Sequence, residues 1–151
     1  MTTISRLLRP EMVSLELEAR TRDEAIAEIV GLLAKDPRVG NPKQFLDEVM
    51  AREASESTCI GSETAIPHAR TDLVHTMVMA AGRSRDGVTF GCGKLARFIF
   101  VIAGPRPVAP EYLRFLGALA RRMRSDDVRA RLLSVADEKE FIRILGGAGV
   151  E

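Results

Sequence analysis

At 151 residues the chain has the length of one domain, 1–151, with no room for a second lobe. Its 22 Lys+Arg balance 21 Asp+Glu, and 46% hydrophobic with 28% charged residues is the composition of a globular protein rather than a disordered or fibrous one. A net charge of +1 excludes a whole-chain field for nucleic acid or an anionic membrane surface.

The opening MTTISRLLRPEM lacks a signal peptide's apolar stretch, and the longest apolar run, Phe98 to Gly104, is far shorter than a membrane span. A cytoplasmic protein without direct membrane insertion is expected, and in that compartment Cys59 and Cys92 are expected as free thiols.

Taken in chain order, residues 12–17 alternate apolar and polar side chains and predict a short strand. Thr21 and Glu24 have capping-box spacing, so a helix should start there, with Ile26, Ile29, Val30 and Leu33 as its buried stripe. Pro37, Gly40 and Pro42 end it. A second helix over about 42–54 places Phe45, Leu46, Val49 and Met50 on one face and ends in Arg52-Glu53. Residues 55–70 read as a loop with short strands. Strands are expected at 75–82 and 97–103, with a turn at Arg85-Asp86-Gly87 between them.

Three helices follow, at about 109–124, 126–134 and 138–145. The first has Leu113, Leu116, Ala120 and Met123 in register, and the other two have Ser125 and Asp137 as caps. The order predicts an α/β fold: a single three-layer domain, with a mixed β-sheet flanked by helices on both faces.

Most candidate chemistry reduces to ordinary structure. The cluster Arg121, Arg122, Arg124, Arg129 and Arg131 is interrupted by Asp126 and Asp127 and lacks interleaved aromatics, so it reads as a solvated face. Phe90 to Lys94 fails as a phosphate loop because Val88 and Leu95 stand where glycine and a hydroxyl are needed, which leaves a strand-edge turn. His68, His75, Cys59 and Cys92 match no zinc-ligand spacing, and nothing brings either thiol to an imidazole, so no metal is expected.

What remains is Arg52-Glu53, Ser57-Thr58, Gly61 and Ala65 to Arg70. Pro67 fixes its own φ and biases Ile66 toward an extended conformation, a way to aim the His68 imidazole. A neutral imidazole offers one lone pair to phosphorus, and Arg52 or Arg70 could hold the phosphoryl oxygens. A purely structural histidine stays open on these grounds.

The stretch A-R-E-x-x-x-S-T-x-I-G-x-x-x-A-I-P-H-A-R, Ala51 to Arg70, resembles the signature of the fructose/mannitol-type enzyme IIA domains of the bacterial phosphotransferase system, and the nitrogen-regulatory IIA branch in particular. The resemblance implies that His68 accepts a phosphoryl group from an HPr-like phosphocarrier protein, with Arg52 stabilising it and Thr58 and Arg70 in support. It implies no cofactor. Onward partners would be a IIB component or a regulated kinase or transporter. Tyr112 stands where the family carries a second histidine, and Glu63 stands where it carries a glycine. A left-handed backbone at Glu63 would be strained, and its charge would weaken phosphoryl acceptance if it faced the site. Three outcomes are compatible with the resemblance: a phosphorylation-dependent regulator, favoured by the absence of a fused transporter domain; a sugar-specific carrier; and a docking module that is no longer phosphorylated.

Overall fold

The computed structural model describes residues 4–107 and 109–147. Helix α1 (Ile4–Leu7) and a 3-10 turn (Pro10–Met12) lead to strand β1 (Val13–Ser14), followed by α2 (Arg22–Leu33) and α3 (Pro42–Ser55). Short strands β2 (Cys59–Gly61), β3 (Thr64–Ala65) and β4 (His68–Arg70) precede the long pair β5 (Val78–Thr89) and β6 (Leu95–Gly104). Helices α4 (Ala109–Met123), α5 (Asp126–Ser134) and α6 (Glu138–Leu145) complete the fold. The expected α/β architecture with a mixed sheet is the observed one: six strands in the order β1-β5-β6-β3-β2, with β4 also paired to β6.

The caps act as the sequence predicts. Thr21 accepts from the Glu24 N–H, Ser125 from Val128, and Asp137 from Lys139 and Glu140. The Glu24 carboxylate reaches back to the Arg20 N–H, one residue beyond the partner a capping box would use. Along α2, Ala25, Ile26, Ile29, Val30 and Leu33 are all buried, and α2 packs on β5 and β6. Strand β6 lies at the centre of the core, with Phe98 to Ala103 fully closed to solvent, as its unbroken apolar run requires.

Three expectations are corrected. The predicted turn at Arg85-Asp86-Gly87 is a bulge inside β5: Arg83 pairs with Phe98 and Val88 with Ala96, so Ser84 to Gly87 stand opposite Arg97 alone. Gly87, at φ +84°, supplies the left-handed residue, and the chain reverses later, where Gly93 and Phe90 hydrogen-bond across the tip. The buried stripe of α4 is Tyr112, Phe115, Leu119 and Met123, so the helix is rotated from the expected Leu113-Leu116-Ala120 face and Leu113 is exposed. The sequence carries two competing stripes, and the one with both aromatic rings buries more apolar area. Cys59 and Cys92 are joined in a disulfide rather than free. Because the reversal falls at residues 90–94, Cys92 sits at the tip beside edge strand β2.

Arg83 is 1% exposed and joins three parts of the chain. Its Nε donates to the Leu15 carbonyl at 3.0 Å, and its Nη1 to the carbonyls of Leu132 at 2.8 Å and Val135 at 2.7 Å, at the C-terminal end of α5. Those carbonyls lack helical partners, and a cation there also meets the negative end of the helix dipole.

Replacing Arg83 with methionine should therefore lower stability by about 2–4 kcal/mol, since three buried acceptors lose their donor; the unfolding midpoint in denaturant measures it. For the disulfide, a separation of 33 residues predicts that Cys59→Ser costs about 3–4 kcal/mol under oxidising conditions. In excess reductant, wild type and variant should unfold together.

Candidate active site

The far edge of β6 carries β3 and β4 in succession, both parallel to it: Thr64 and Ala65 pair with Phe98 and Ile99, and His68 to Arg70 with Ile102 to Gly104. The break between them is Ile66-Pro67. Ile66 turns its N–H to the Thr58 carbonyl, Pro67 has none to give, and the Ile102 N–H donates to the Pro67 carbonyl. The Ile66 carbonyl is left to accept from the His68 ring, with Nδ1 2.6 Å away.

A carbonyl can only accept, so Nδ1 carries the proton and Nε2 keeps its lone pair. Burial pushes the His68 pKa below its usual value; the Ile66 carbonyl and the Glu53 carboxylate oppose the shift, and the Arg52 charge adds to it. At neutral pH burial thus favours the uncharged ring, with a lone pair on Nε2.

Side chains alternate along β4, so His68 and Arg70 share a face. That face lines a cleft of about 510 Å³ together with Arg52, Arg106, Tyr112 and Leu113. Arg52, Arg70 and Arg106 supply three guanidinium groups, and no carboxylate lines the cleft. Arg52 stands in the last turn of α3, held by an Nη1 bond to the Glu56 carbonyl at 2.9 Å. Arg70 reaches the Arg106 carbonyl at 3.4 Å, and Arg106 pairs with exposed Asp72 at 3.3 Å.

Glu53 is the residue that sequence reasoning undervalued, although it ends a Phe45-Val49-Glu53 stripe at helical spacing. It is 2% exposed on the buried face of α3. Its carboxylate accepts the Thr58 N–H at 3.0 Å and the Thr58 hydroxyl at 2.6 Å. Thr58 therefore lines the second, smaller pocket beside His68, but its hydroxyl proton is committed to Glu53. It positions the loop and does not offer a free donor to the cleft.

Glu63 does adopt the left-handed conformation, at φ +54°, following Gly61 and Ser62 at positive φ. Its carboxylate turns to Arg97 and to Arg129, 3.8 Å away, outside both pockets that share His68. The expected charge at the site is thus removed by ion pairing. His75 is exposed in the segment before β5, and the disulfide takes both sulfurs from any ligand or nucleophile set. Arg121, Arg124 and Arg131 are exposed, while Arg122 and Arg129 are half-buried and bond to the carbonyls of Ile144 and Met123.

Tyr112 is 3% exposed and meets His68 edge-on, with ring centroids 5.8 Å apart. Its ring lies against the backbone of Gly104, where a Cβ would come within 2.4 Å of Cδ1. Only glycine fits there while the tyrosine keeps its place.

The chain as a whole has counterparts among known proteins. Residues 6–147 match the family described as phosphoenolpyruvate-dependent sugar phosphotransferase system, EIIA 2. The chain belongs to that family. It is accordingly a phosphoryl-transfer component of the EIIA type. It is 33% identical to the fructose-specific EIIA component of Haloferax volcanii, over 94% of this chain and 93% of that protein. The fructose-specific EIIABC component of Bacillus subtilis is 31% identical over 94% of this chain, which spans only 23% of that longer relative. The nitrogen regulatory protein IIA-Ntr of Neisseria meningitidis superposes with a TM-score of 0.87 at 28% identity, covering 94% of this EIIA chain and 98% of the other. No described helix is long and apolar enough to cross a membrane.

Because the folded-state pKa of His68 is lowered, the unfolded chain binds its proton more tightly. The imidazole's contribution to stability is complete above about 6.5, the unfolded value, and is lost as pH falls through the folded value. NMR titration of the ring should give a midpoint below 6.5, and His68→Gln should flatten part of the acid-side loss of stability.

Proposed function

We propose that His68 is the phosphoryl acceptor of this EIIA protein and that Nε2 is the atom that carries the group. The observation behind this is the Nδ1 bond to the Ile66 carbonyl, which leaves Nε2 free beside three arginines. The Nε2 lone pair attacks the phosphorus of a phosphohistidine on an HPr-like carrier. The donor's N–P bond breaks in line, and its electron pair returns to the donor imidazole. No proton has to move at His68, because the proton already sits on Nδ1. Arg52 and Arg70 hold the phosphoryl oxygens by charge-assisted bonds and stay protonated throughout. No cofactor is required.

The outcome of the transfer is a phosphorylation-dependent regulatory protein, and its further partner is a regulated kinase or transporter. The supporting feature is Tyr112, a neutral side chain where the family carries a second histidine. A second reading, onward transfer to a sugar-specific IIB component, is favoured by the 33% identity to a fructose-specific relative.

The deciding experiment combines the protein with phosphoenolpyruvate, enzyme I and a phosphocarrier, followed by intact mass. Wild type should gain one acid-labile phosphate, His68→Ala none, and Arg52→Ala should gain it at least about tenfold more slowly, the expected loss of one charge-assisted contact. An unmodified wild type with the correct donor would refute the acceptor role.

A further inference from the structure

Among the buried side-chain polar atoms of the described residues, the Tyr112 hydroxyl has no hydrogen-bond partner. Folding does not need it. A phenylalanine would fill the same space against Gly104 and meet His68 with the same ring edge. Native proteins rarely bury an orphan O–H, and such an atom calls for an explanation in terms of a missing partner. Its surroundings say which kind. The ring lines the cleft with His68, and the phenol lies within electrostatic reach of Arg52 and Arg70, the cations that face an incoming anion.

We propose that the Tyr112 hydroxyl donates a hydrogen bond to the phosphoryl group held on His68, as an uncharged third arm beside the two arginines, and that it favours storage of the group over its release. The proposal rests on His68 being the acceptor. Burial raises the phenol's pKa well above its ordinary value, so the proton stays on oxygen across the working range. The tyrosine thus supplies a constant donor and neither a cation nor a second nucleophilic nitrogen.

The preference for storage follows from the charge flow. As the N–P bond loosens, its electron pair returns to the imidazole and the departing group becomes metaphosphate-like, with less negative charge on its oxygens. A donor to those oxygens is then worth more before departure than during it, and differential stabilisation of the starting state slows the step.

The test phosphorylates the full-length protein with phosphoramidate, which needs no protein partner: its N–P bond breaks, ammonia leaves, and the Nε2–P bond forms. Loss of phosphate is followed by intact mass, and thermal unfolding is recorded with and without phosphate. Tyr112→Phe should unfold, without phosphate, at the wild-type temperature or above it, because an unpaired buried hydroxyl has been removed. Its phosphohistidine should decay at least about tenfold faster than that of wild type, the usual scale for a hydrogen bond to a charged group.

Equal decay of wild type and Tyr112→Phe would overturn the donor role and leave His68 as acceptor intact. A lower unfolding temperature for unphosphorylated Tyr112→Phe would also overturn it, because the hydroxyl would then have a structural partner. Wild type unmodified at His68 would remove both this role and the acceptor reading.

Discussion

The site is organised by the hydrogen bond between His68 Nδ1 and the Ile66 carbonyl. It fixes three things together: the ring's direction, its tautomer, and which nitrogen meets the cleft. The acceptor is available because Ile66 faces away from β6. Along β6 the Pro67 carbonyl keeps its place in the ladder by accepting from Ile102, whereas Ile66 faces the other way, gives its N–H to Thr58, and offers its oxygen to a side chain two residues on.

That bond holds only if the segment around it is held, and each anchor comes from a different layer. Below the loop, buried Glu53 ties Thr58 by both backbone and hydroxyl, which places the carbonyl that receives Ile66. Beside the ring, Tyr112 closes the cleft because Gly104 lets it approach the β6 backbone. At the outer edge, the Cys59–Cys92 disulfide pins β2 to the hairpin tip. Arg83 acts at a distance, tying β5 to the end of α5 and to the segment after β1. The His68 ring is therefore held by the supports of its segment as well as by its own hydrogen bond, the kind of preorganised positioning that lowers a barrier.

The sequence made the helices legible because their caps and periodic stripes are local signals, and Thr21, Ser125 and Asp137 act where expected. His68, Arg52 and Arg70 were legible because proline restricts its neighbours and alternation puts residues 68 and 70 on one face. The hidden features were all long-range. The reversal at 90–94 competed with an equally good turn signal at 85–87, and only pairing with β6 converts the latter into a bulge. The disulfide depends on that register. The α4 rotation depends on which of two stripes finds the sheet, and Glu53 reads as a helix-end surface charge until Thr58 folds over it. Glu63 shows both sides: its left-handed φ follows from its place in the loop, whereas the direction of its carboxylate follows from Arg97 and Arg129.

The charges around the cleft share a consistent logic. The carboxylates of Glu53 and Glu63 are tied away from the cleft, to Thr58 and to Arg97 and Arg129, and Asp72 pairs with Arg106 at its rim. Arg52, Arg70 and Arg106 place guanidinium charge in the cleft, and burial favours the neutral form of His68. No group lining the cleft needs to change charge for an anion to arrive, so the field that receives it is present beforehand and costs no reorganisation. A histidine at position 112 would break that constancy by titrating in the working range, whereas tyrosine keeps it. Tyr112 therefore acts in the same direction as the displaced carboxylates: it adds no titrating charge to the cleft.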